Sequence, residues 1–200
     1  SLGADPARIT VTGNLKFDQR VPPSLLEMAA VLRRDWGVGR PVLIAASTHE
    51  GEDEQLLDVF GRIRAQFPDC LLVLVPRHPE RFASVAELAR AHGYETLQRS
   101  EQRPCTATTA VFVGDTMGEL PLFYAASDVA FVGGSLVPHG GHNLLEPAAL
   151  GIPVVTGPAV FNFLEISQLL LDAGACERVE NSAELSRVVS RWLGDANERH

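Results

Sequence analysis

The chain has 200 residues, 46% of them hydrophobic and 21% charged, a composition ordinary for one large globular domain or two small ones. Its net charge of −8 argues against nucleic acid as a partner, because phosphate backbones need a basic face, and against electrostatic docking on an anionic membrane. No apolar run approaches the roughly 18 residues that a membrane-spanning helix needs.

In chain order, short apolar runs alternate with stretches of helical periodicity. We predict strands at Ile9–Thr12, Val42–Ala46, Leu71–Val75, Thr96–Gln98, Ala110–Val113, Val129–Val132, Val154–Thr156 and Cys176–Val179. We predict helices at Ser24–Trp36, Glu52–Phe67, Pro79–Ala91, Leu120–Ala126, Asn143–Leu150, Phe161–Ala173 and Ala183–Leu193. This alternation predicts an α/β fold, a Rossmann-like doubly wound parallel sheet with helices on both faces.

The sequence predicts one domain behind a short leading segment. We assign residues 1–21 to an interdomain segment and residues 22–200 to the α/β domain. The chain begins without methionine and without a signal-peptide pattern, so we expect a piece of a longer protein. The cysteines Cys70, Cys105 and Cys176 are far apart and form no CxxC pair, which predicts reduced, structural thiols.

A glycine-rich loop follows the predicted strand Val129–Val132 and reads GGSLVPHGGHNLLEP from Gly133 to Pro147. Glycines let the backbone approach a ligand, and a helix that starts near His142 or Asn143 would present N–H groups and partial positive charge. The loop is therefore predicted to cradle a phosphate, with Glu146 binding polar groups beside it. The alternative is a tight turn that only connects strand to helix, with Glu146 in solvent.

Polar loops also follow four other predicted strands, at Ser47–Glu52, Pro76–Arg81, Gly114–Leu120 and Gly157–Phe163. Because the carboxyl ends of parallel strands share one edge of a sheet, the five loops together predict one polar site. The histidines in these loops raise the alternative of a metal cluster; they are His49, His78, His139 and His142. No HExxH or CxxC pattern supports that alternative, and no metal site is predicted.

Five segments carry a family resemblance: Val11–Asp18, Ser47–Glu52, Pro76–Phe82, Gly114–Leu120 and Gly133–Pro147. Together they resemble the C-terminal half of the bacterial 3-deoxy-D-manno-octulosonic acid (Kdo) transferases, over most of the chain. The resemblance implies the C-terminal half of a GT-B glycosyltransferase fold, in which two Rossmann-like domains face each other across a cleft.

This resemblance implies that residues 22–200 form a nucleotide-sugar-binding domain for the donor CMP-Kdo. The lipid A precursor and the catalytic glutamate would belong to an N-terminal acceptor domain that this chain lacks. We therefore expect nucleotide binding without turnover, no catalytic residue here, and no cofactor. The implied setting is lipopolysaccharide biosynthesis on the cytoplasmic side of the inner membrane of Gram-negative bacteria, with this fragment soluble.

Matching the family motifs assigns expected roles. Backbone N–H groups near Ser135 and across residues 140–143 would stabilise the CMP phosphate, and Arg77 would bind that phosphate or the Kdo carboxylate. Glu146 would accept hydrogen bonds from the ribose hydroxyls, and the loop of Met117 would flank cytosine. The expected nucleotide-binding residues are Arg77, Met117, Gly118, Gly134, Ser135, Gly140, Gly141, His142, Asn143 and Glu146. The expected sugar-binding or cleft-lining residues are Ser47, His49, Glu52 and Pro76.

Two other functions stay open from the sequence. The first is the donor domain of a UDP-sugar transferase or epimerase with a GT-B fold, because a fold does not fix its substrate. The second is a non-catalytic nucleotide-binding or interaction module. A preference for UDP would select the first alternative. No nucleotide binding by a folded sample would favour an interaction module that kept the fold and lost its ligand.

Overall fold

The computed structural model describes residues 21–195 and residue 198. Its helices are α1 (Pro23–Trp36), α2 (Asp53–Arg64), α3 (Phe82–Ala91), α4 (Leu120–Ala125), α5 (Leu145–Ala149), α6 (Leu164–Asp172) and α7 (Ser182–Gly194). Its strands are β1 (Val42–Thr48), β2 (Leu71–Pro76), β3 (Thr96–Gln98), β4 (Val111–Val113), β5 (Val129–Val132), β6 (Val154–Thr156) and β7 (Cys176–Arg178). Within this described part, no helix has the length and apolar character needed to cross a membrane.

The strands form one sheet in the order β3-β4-β2-β1-β5-β6-β7, and every neighbouring pair is parallel. Strand β1 lies between β2 and β5, with Ile44 in register with Val73 on one side and Ala130 on the other. The chain fills one side of β1 first and then crosses to the other at β5. Ligands on such sheets bind at the carboxyl ends of the strands beside that reversal. The predicted Rossmann-like α/β fold is confirmed.

Helices cover both faces of the sheet. Along β1, Leu43 and Ala45 belong to the apolar cluster that includes α2, α3 and α7, whereas Ile44 and Ala46 belong to the cluster that includes α1 and α4. Every residue of β1 and β2 is buried. Burial on both faces is the reason that these strands read as continuous apolar runs instead of alternating ones.

Most predicted elements are present, and the strands Thr96–Gln98, Val129–Val132 and Val154–Thr156 agree to the residue. The predicted strand Ile9–Thr12 lies outside the described residues. So does nearly all of the predicted segment 1–21, which stays a prediction. The main differences are at helix starts: α3 is preceded by a 3₁₀ turn, and α5 and α6 begin two and three residues later than predicted.

Hydrogen bonds of Asn143 and Asn162 explain the late start of α5 and α6. The Oδ1 atom of Asn143 accepts a hydrogen bond from Leu145 N at 3.2 Å, which holds Asn143 outside the helix. The amide of Asn162 donates to Gly140 O at 3.1 Å, and its Nδ2 donates to His139 O at 2.9 Å. The predicted helix start at His142 or Asn143 is therefore wrong. Helix α5 has only 5 residues, so a helix dipole contributes little to this loop.

The three cysteines are free thiols, as predicted. Burial raises the pKa of Cys70 to about 12, of Cys105 to about 11 and of Cys176 to about 12. Thiols with pKa values this high carry almost no thiolate at neutral pH, so they pack as small apolar groups.

Candidate functional site

The loops after β1, β2 and β5 meet at the carboxyl edge of the sheet. Their strands are neighbours, with β1 in the centre, so the fold itself brings the loops together. The loop after β6 joins them through the contacts of Asn162 with His139 and Gly140. The site therefore forms where the strand order reverses, the usual place for a ligand on an open parallel sheet.

Three histidines gather around His49 at this edge. The Nε2 atoms of His49 and His142 lie 2.8 Å apart, and the two ring planes are nearly parallel, at 3°, with centroids 5.0 Å apart. His139 stacks on His49 at 4.1 Å, and His78 meets its ring edge-on at 5.5 Å. Among residues 21–195 and 198, no group of three His, Cys, Asp or Glu side chains is arranged to hold a metal ion.

The central pair of histidines is neutral at physiological pH. Burial, helped by the neighbouring His139 and His142, lowers the pKa of His49 from 6.5 to about 4. Burial, helped by Arg77, lowers the pKa of His142 to about 4 as well. Each neutral imidazole has one N–H donor and one acceptor nitrogen, so the short contact is a hydrogen bond between the two rings.

We expect the free energy of unfolding to fall as the pH is lowered from about 6.5 to about 4. In the unfolded chain His49 and His142 take up protons near pH 6.5, but in the folded chain they stay neutral down to about pH 4. The unfolded state therefore binds more protons in this window, and lowering the pH favours it. Urea unfolding of the wild type and of a His49→Gln/His142→Gln variant at a series of pH values measures the effect.

The double variant should lose less stability than the wild type between pH 7 and pH 5, because it lacks both titrating groups. His92→Gln changes an exposed histidine at the end of α3 and leaves the His49–His142 pair intact, so this control should keep the loss of stability that the pair causes. Equal pH dependence of stability in the wild type and the double variant would contradict the lowered pKa values assigned to His49 and His142.

Glu52 lies beneath the glycine loop, fully buried, and its carboxylate accepts hydrogen bonds from backbone N–H groups. Oε2 accepts from His49 N at 3.0 Å and from Gly134 N at 2.7 Å. Oε1 accepts from Ser135 N at 3.0 Å and from Leu136 N at 2.9 Å. Consequently, the amides of Gly134 and Ser135, which the sequence assigns to a phosphate, already have a carboxylate partner.

Ser135 is also fully buried, and its polar groups are used inside the loop. Its hydroxyl donates to Val132 O at 2.7 Å and accepts from Gly157 N at 2.8 Å. Its carbonyl accepts from Ala159 N at 3.0 Å. The Ser135 amide thus bonds to Glu52, and its hydroxyl and carbonyl hold the β5 loop to the β6 loop. Its expected contact with a phosphate stays a prediction.

The expected cleft-lining residues differ in exposure. His49 is partly exposed, but Ser47 is only 8% exposed, Glu52 is 0% exposed and Pro76 is buried as the last residue of β2. Glu52 and Pro76 therefore do not reach the surface of this structure, and their expected place in the lining of the cleft stays a prediction. Ser47 has a φ of 56°, an uncommon conformation for a residue other than glycine, at an irregularity in the β1–β2 pairing.

A second buried carboxylate, Asp53, joins the β1 and β2 loops. It accepts a hydrogen bond from the Thr48 hydroxyl at 2.6 Å and forms an ion pair with Arg81. Arg81 also donates to Thr48 O at 2.8 Å, and Thr48 O accepts from Arg77 N at 3.0 Å. The side chain of Arg77 is left exposed at the edge. Sequence reasoning missed Asp53, although its position next to Glu52 after a buried strand was a usable signal.

The second half of the glycine loop is held by close backbone packing. Gly140 and Gly141 have φ values of 89° and 76°, and a Cβ on Gly140 would lie 2.4 Å from Asn162 Nδ2. Gly141 N donates to Gly134 O at 2.8 Å, so this amide too is used within the loop. Glycine is therefore required here by conformation and space, and Gly141 shapes the loop with its amide turned inward.

Asn143 and Glu146 form a polar pair at the start of α5. Nδ2 of Asn143 donates to Oε1 of Glu146 at 3.0 Å, and both side chains are partly exposed. Glu146 and Gly118 together line a mostly apolar groove of about 440 Å³, whose other lining residues include Leu25, Met28, Pro121 and Leu122. Met117, in the loop before α4, is 68% exposed. The fold thus brings the expected ribose residue and the expected base-flanking loop to one groove of a size suited to a small ligand.

A parallel sheet of this order, with its polar loops gathered at the carboxyl edge, defines the nucleotide-binding type of α/β domain found in GT-B glycosyltransferases. The family model described as glycosyl transferases group 1 matches residues 44–200. The chain belongs to this family of glycosyltransferases.

Within that family, the motif resemblance to Kdo transferases is confirmed. The chain is 44% identical over 200 residues to a 3-deoxy-D-manno-octulosonic acid transferase of Haemophilus influenzae, covering 100% of this chain and 47% of that protein. It is 42% identical to the Bordetella pertussis protein of the same name, covering 86% of this chain and 41% of that one. The chain therefore spans less than half the length of these relatives.

A solved structure agrees with the sequence comparison. The C-terminal CMP-Kdo binding domain of WaaA from Acinetobacter baumannii superposes with a TM-score of 0.79 and 39% sequence identity. The match covers 88% of this chain and 90% of that one. The GT-B C-terminal architecture implied by the motifs is confirmed.

Proposed function

We propose that this chain is the donor-binding domain of a Kdo transferase and binds CMP-Kdo at the carboxyl edge of its sheet. In the whole enzyme, an N-terminal domain would bring the lipid A precursor and the catalytic base, at the cytoplasmic face of the inner membrane. The observation that carries the proposal is the match, at 39% identity and over 88% of the chain, to a domain described as binding CMP-Kdo. The chain by itself is expected to bind nucleotide without turnover.

The exposed charged and polar groups at this edge are proposed to make different contacts with the donor. Arg77 offers a guanidinium to the phosphate of CMP or to the carboxylate of Kdo, both of which suit a bidentate contact. The neutral His49–His142 pair lies beside it and offers polar groups without adding charge. When the bond between phosphate and sugar breaks, negative charge grows on the phosphate, and Arg77 would stabilise it.

Glu146 is proposed to bind the ribose. It lies on the rim of the groove lined by Gly118, and its carboxylate has acceptor capacity beyond its one contact with Asn143. Two vicinal hydroxyls are natural donors to such a carboxylate. Cytosine would then lie toward Gly118 and the exposed Met117.

We expect Glu146→Ala to weaken CMP binding by about 1–3 kcal/mol, the usual cost of leaving buried hydroxyls without a partner. The measurement is an NMR or calorimetric titration of the chain with CMP and with 2′,3′-dideoxy-CMP. The wild type should prefer CMP, whereas the variant should bind both nucleotides equally, because the carboxylate that reads the hydroxyls is gone.

Glu165→Ala provides the matched control, since Glu165 is exposed on α6, and it should bind CMP as the wild type does. An undiminished preference of Glu146→Ala for CMP over the dideoxy analogue would refute the ribose assignment. Tighter binding of UMP or AMP than of CMP by the wild type would overturn the CMP-Kdo proposal itself.

A further inference from the structure

We propose that Glu52 is a positioning residue for the donor site: its carboxylate fills an anion-binding nest in the glycine loop and thereby fixes the residues that face the ligand. This inference rests on the proposed function only in using CMP affinity as one of its readouts. Glu52 is separated by 82–84 residues from the amides of the glycine loop that it binds, so it joins two distant segments of the chain.

The loop from Gly134 to Leu136 has the geometry of an anion site. Three consecutive amides, those of Gly134, Ser135 and Leu136, point at one carboxylate, at distances of 2.7–3.0 Å. Gly134 has a φ of 68°, a left-handed conformation that helps successive N–H groups to converge on one anion. In many nucleotide-binding proteins a phosphate accepts hydrogen bonds from such amides. Here the Glu52 carboxylate accepts them.

Contacts lead from this nest to the exposed edge in two ways. The carbonyl of Gly134 accepts from Gly141 N at 2.8 Å, which sets the second half of the loop, and an added Cβ on Gly134 would lie 3.1 Å from the His142 ring. On the other side, Oε2 of Glu52 holds His49 N at 3.0 Å, and the His49 ring bonds to that of His142. One buried carboxylate therefore fixes the backbone on both sides of the histidine pair.

The nest amides are occupied by the Glu52 carboxylate and are not free to bind a ligand. The anionic groups of a donor would therefore bind residues nearer the surface, such as Arg77. Without the carboxylate, three convergent amides would be left without their partner, and the loop would rearrange or take up a small anion from solution. The vacated nest should accept formate, which has the same charged group.

The test compares Glu52→Ala and Glu52→Gln with Glu54→Ala, which alters an exposed glutamate two residues further on, in the first turn of α2. We expect Glu52→Ala to weaken CMP binding roughly tenfold or more, the usual effect of removing a buried group that orients ligand-contacting residues. Sodium formate should restore part of the affinity, and formamide, its neutral isostere, should not. Glu52→Gln should bind CMP less well than the wild type, because an amide NH₂ cannot accept the backbone N–H bonds. Glu54→Ala should match the wild type.

Amide chemical shifts provide the second readout, independent of CMP. In Glu52→Ala, formate should shift the signals of His49, Gly134, Ser135 and Leu136 in a saturable way, and it should not shift them in the wild type. If Glu52→Ala is unfolded without formate, recovery of the folded fraction on adding formate, without recovery on adding formamide, supports the same conclusion. These shifts test the nest even if the wild type fails to bind CMP, in which case the proposed function fails separately.

Two results would overturn the proposal. The first is a folded Glu52→Ala variant that binds CMP as the wild type does. The second is a Glu52→Ala variant in which formate changes neither the four amide signals, nor the CMP affinity, nor the folded fraction.

Discussion

Replacing Arg40 by methionine is expected to lower the free energy of unfolding by about 3 kcal/mol, because it leaves buried carbonyl groups without their donor. Arg40 is only 8% exposed and lies just before β1, at the amino edge of the sheet. Its Nε donates to Asp69 O at 2.6 Å and its Nη1 to Trp36 O at 3.3 Å. Its Nη2 donates to Thr109 O.

The guanidinium of Arg40 thus links three segments: the end of α1, the turn before β2 and the turn before β4. Burial lowers its pKa, which shows that the charge is held at some cost, and the carbonyl bonds offset that cost. Methionine keeps the length and the apolar stem but supplies no donor. Arg40→Lys should recover only a fraction of the stability, since one ammonium cannot reproduce the fork of donors.

Urea unfolding followed by circular dichroism measures this loss. Arg62→Met, at an exposed position of α2, is the control and should stay close to the wild type. CMP affinity of folded Arg40→Met should be unchanged, because the site lies at the opposite edge of the sheet. A stability within about 0.5 kcal/mol of the wild type would show that water replaces the guanidinium without penalty.

Replacing Gly133 by alanine should cost about 3 kcal/mol of stability, at the upper end for overpacking, and should also impair CMP binding. A Cβ at this position would lie 2.7 Å from Ser47 O, 2.9 Å from Thr48 Cα and 2.9 Å from Glu52 Oε2. The first two atoms belong to β1, the central strand, and cannot move aside. The alanine would therefore push the glycine loop away from β1 and stretch its bonds to Glu52.

Gly194→Ala is the matched control, because Gly194 ends α7 and an added Cβ would make only an ordinary contact of 3.6 Å with Phe67. Alanine there should be neutral or stabilising by up to about 1 kcal/mol, since glycine is a poor helix former. Denaturant unfolding and a CMP titration of both variants measure the contrast. Wild-type stability and CMP affinity in Gly133→Ala would contradict the close approach of the loop to β1.

The two edges of the sheet are expected to differ in role: contacts at the amino edge stabilise the fold, and contacts at the carboxyl edge also support ligand binding. Arg40 at the amino edge stabilises the fold through carbonyl contacts with three connecting segments. Glu52 and Asp53 at the carboxyl edge fix the loops that are proposed to bind the donor. Changes at the first edge should alter unfolding alone, whereas changes at the second should alter both unfolding and CMP affinity.

Among the site residues, the sequence could identify the segment but not the orientation of each group. The glycine spacing and the predicted strand before it correctly indicated a loop at the carboxyl edge. Nothing in that local pattern indicated that Glu52, more than 80 residues earlier, would take the amides of Gly134 and Ser135. A phosphate and a carboxylate accept hydrogen bonds from the same backbone N–H donors. The local pattern therefore does not show whether the anion is a bound ligand or a side chain of the same protein.

The sequence by itself determined the sheet and its family. Buried strands such as Leu71–Pro76 are continuously apolar and are flanked by turns and by stretches of helical periodicity. The sequence reveals these signals because they are local and depend only on neighbouring residues in the chain. Only the tertiary structure decided the pairs His49–His142 and Glu52–Gly134 and the carbonyl contacts of Arg40. Those contacts join residues far apart in sequence, and they depend on strand order: β1 lies beside β5 because the chain crosses over after β4.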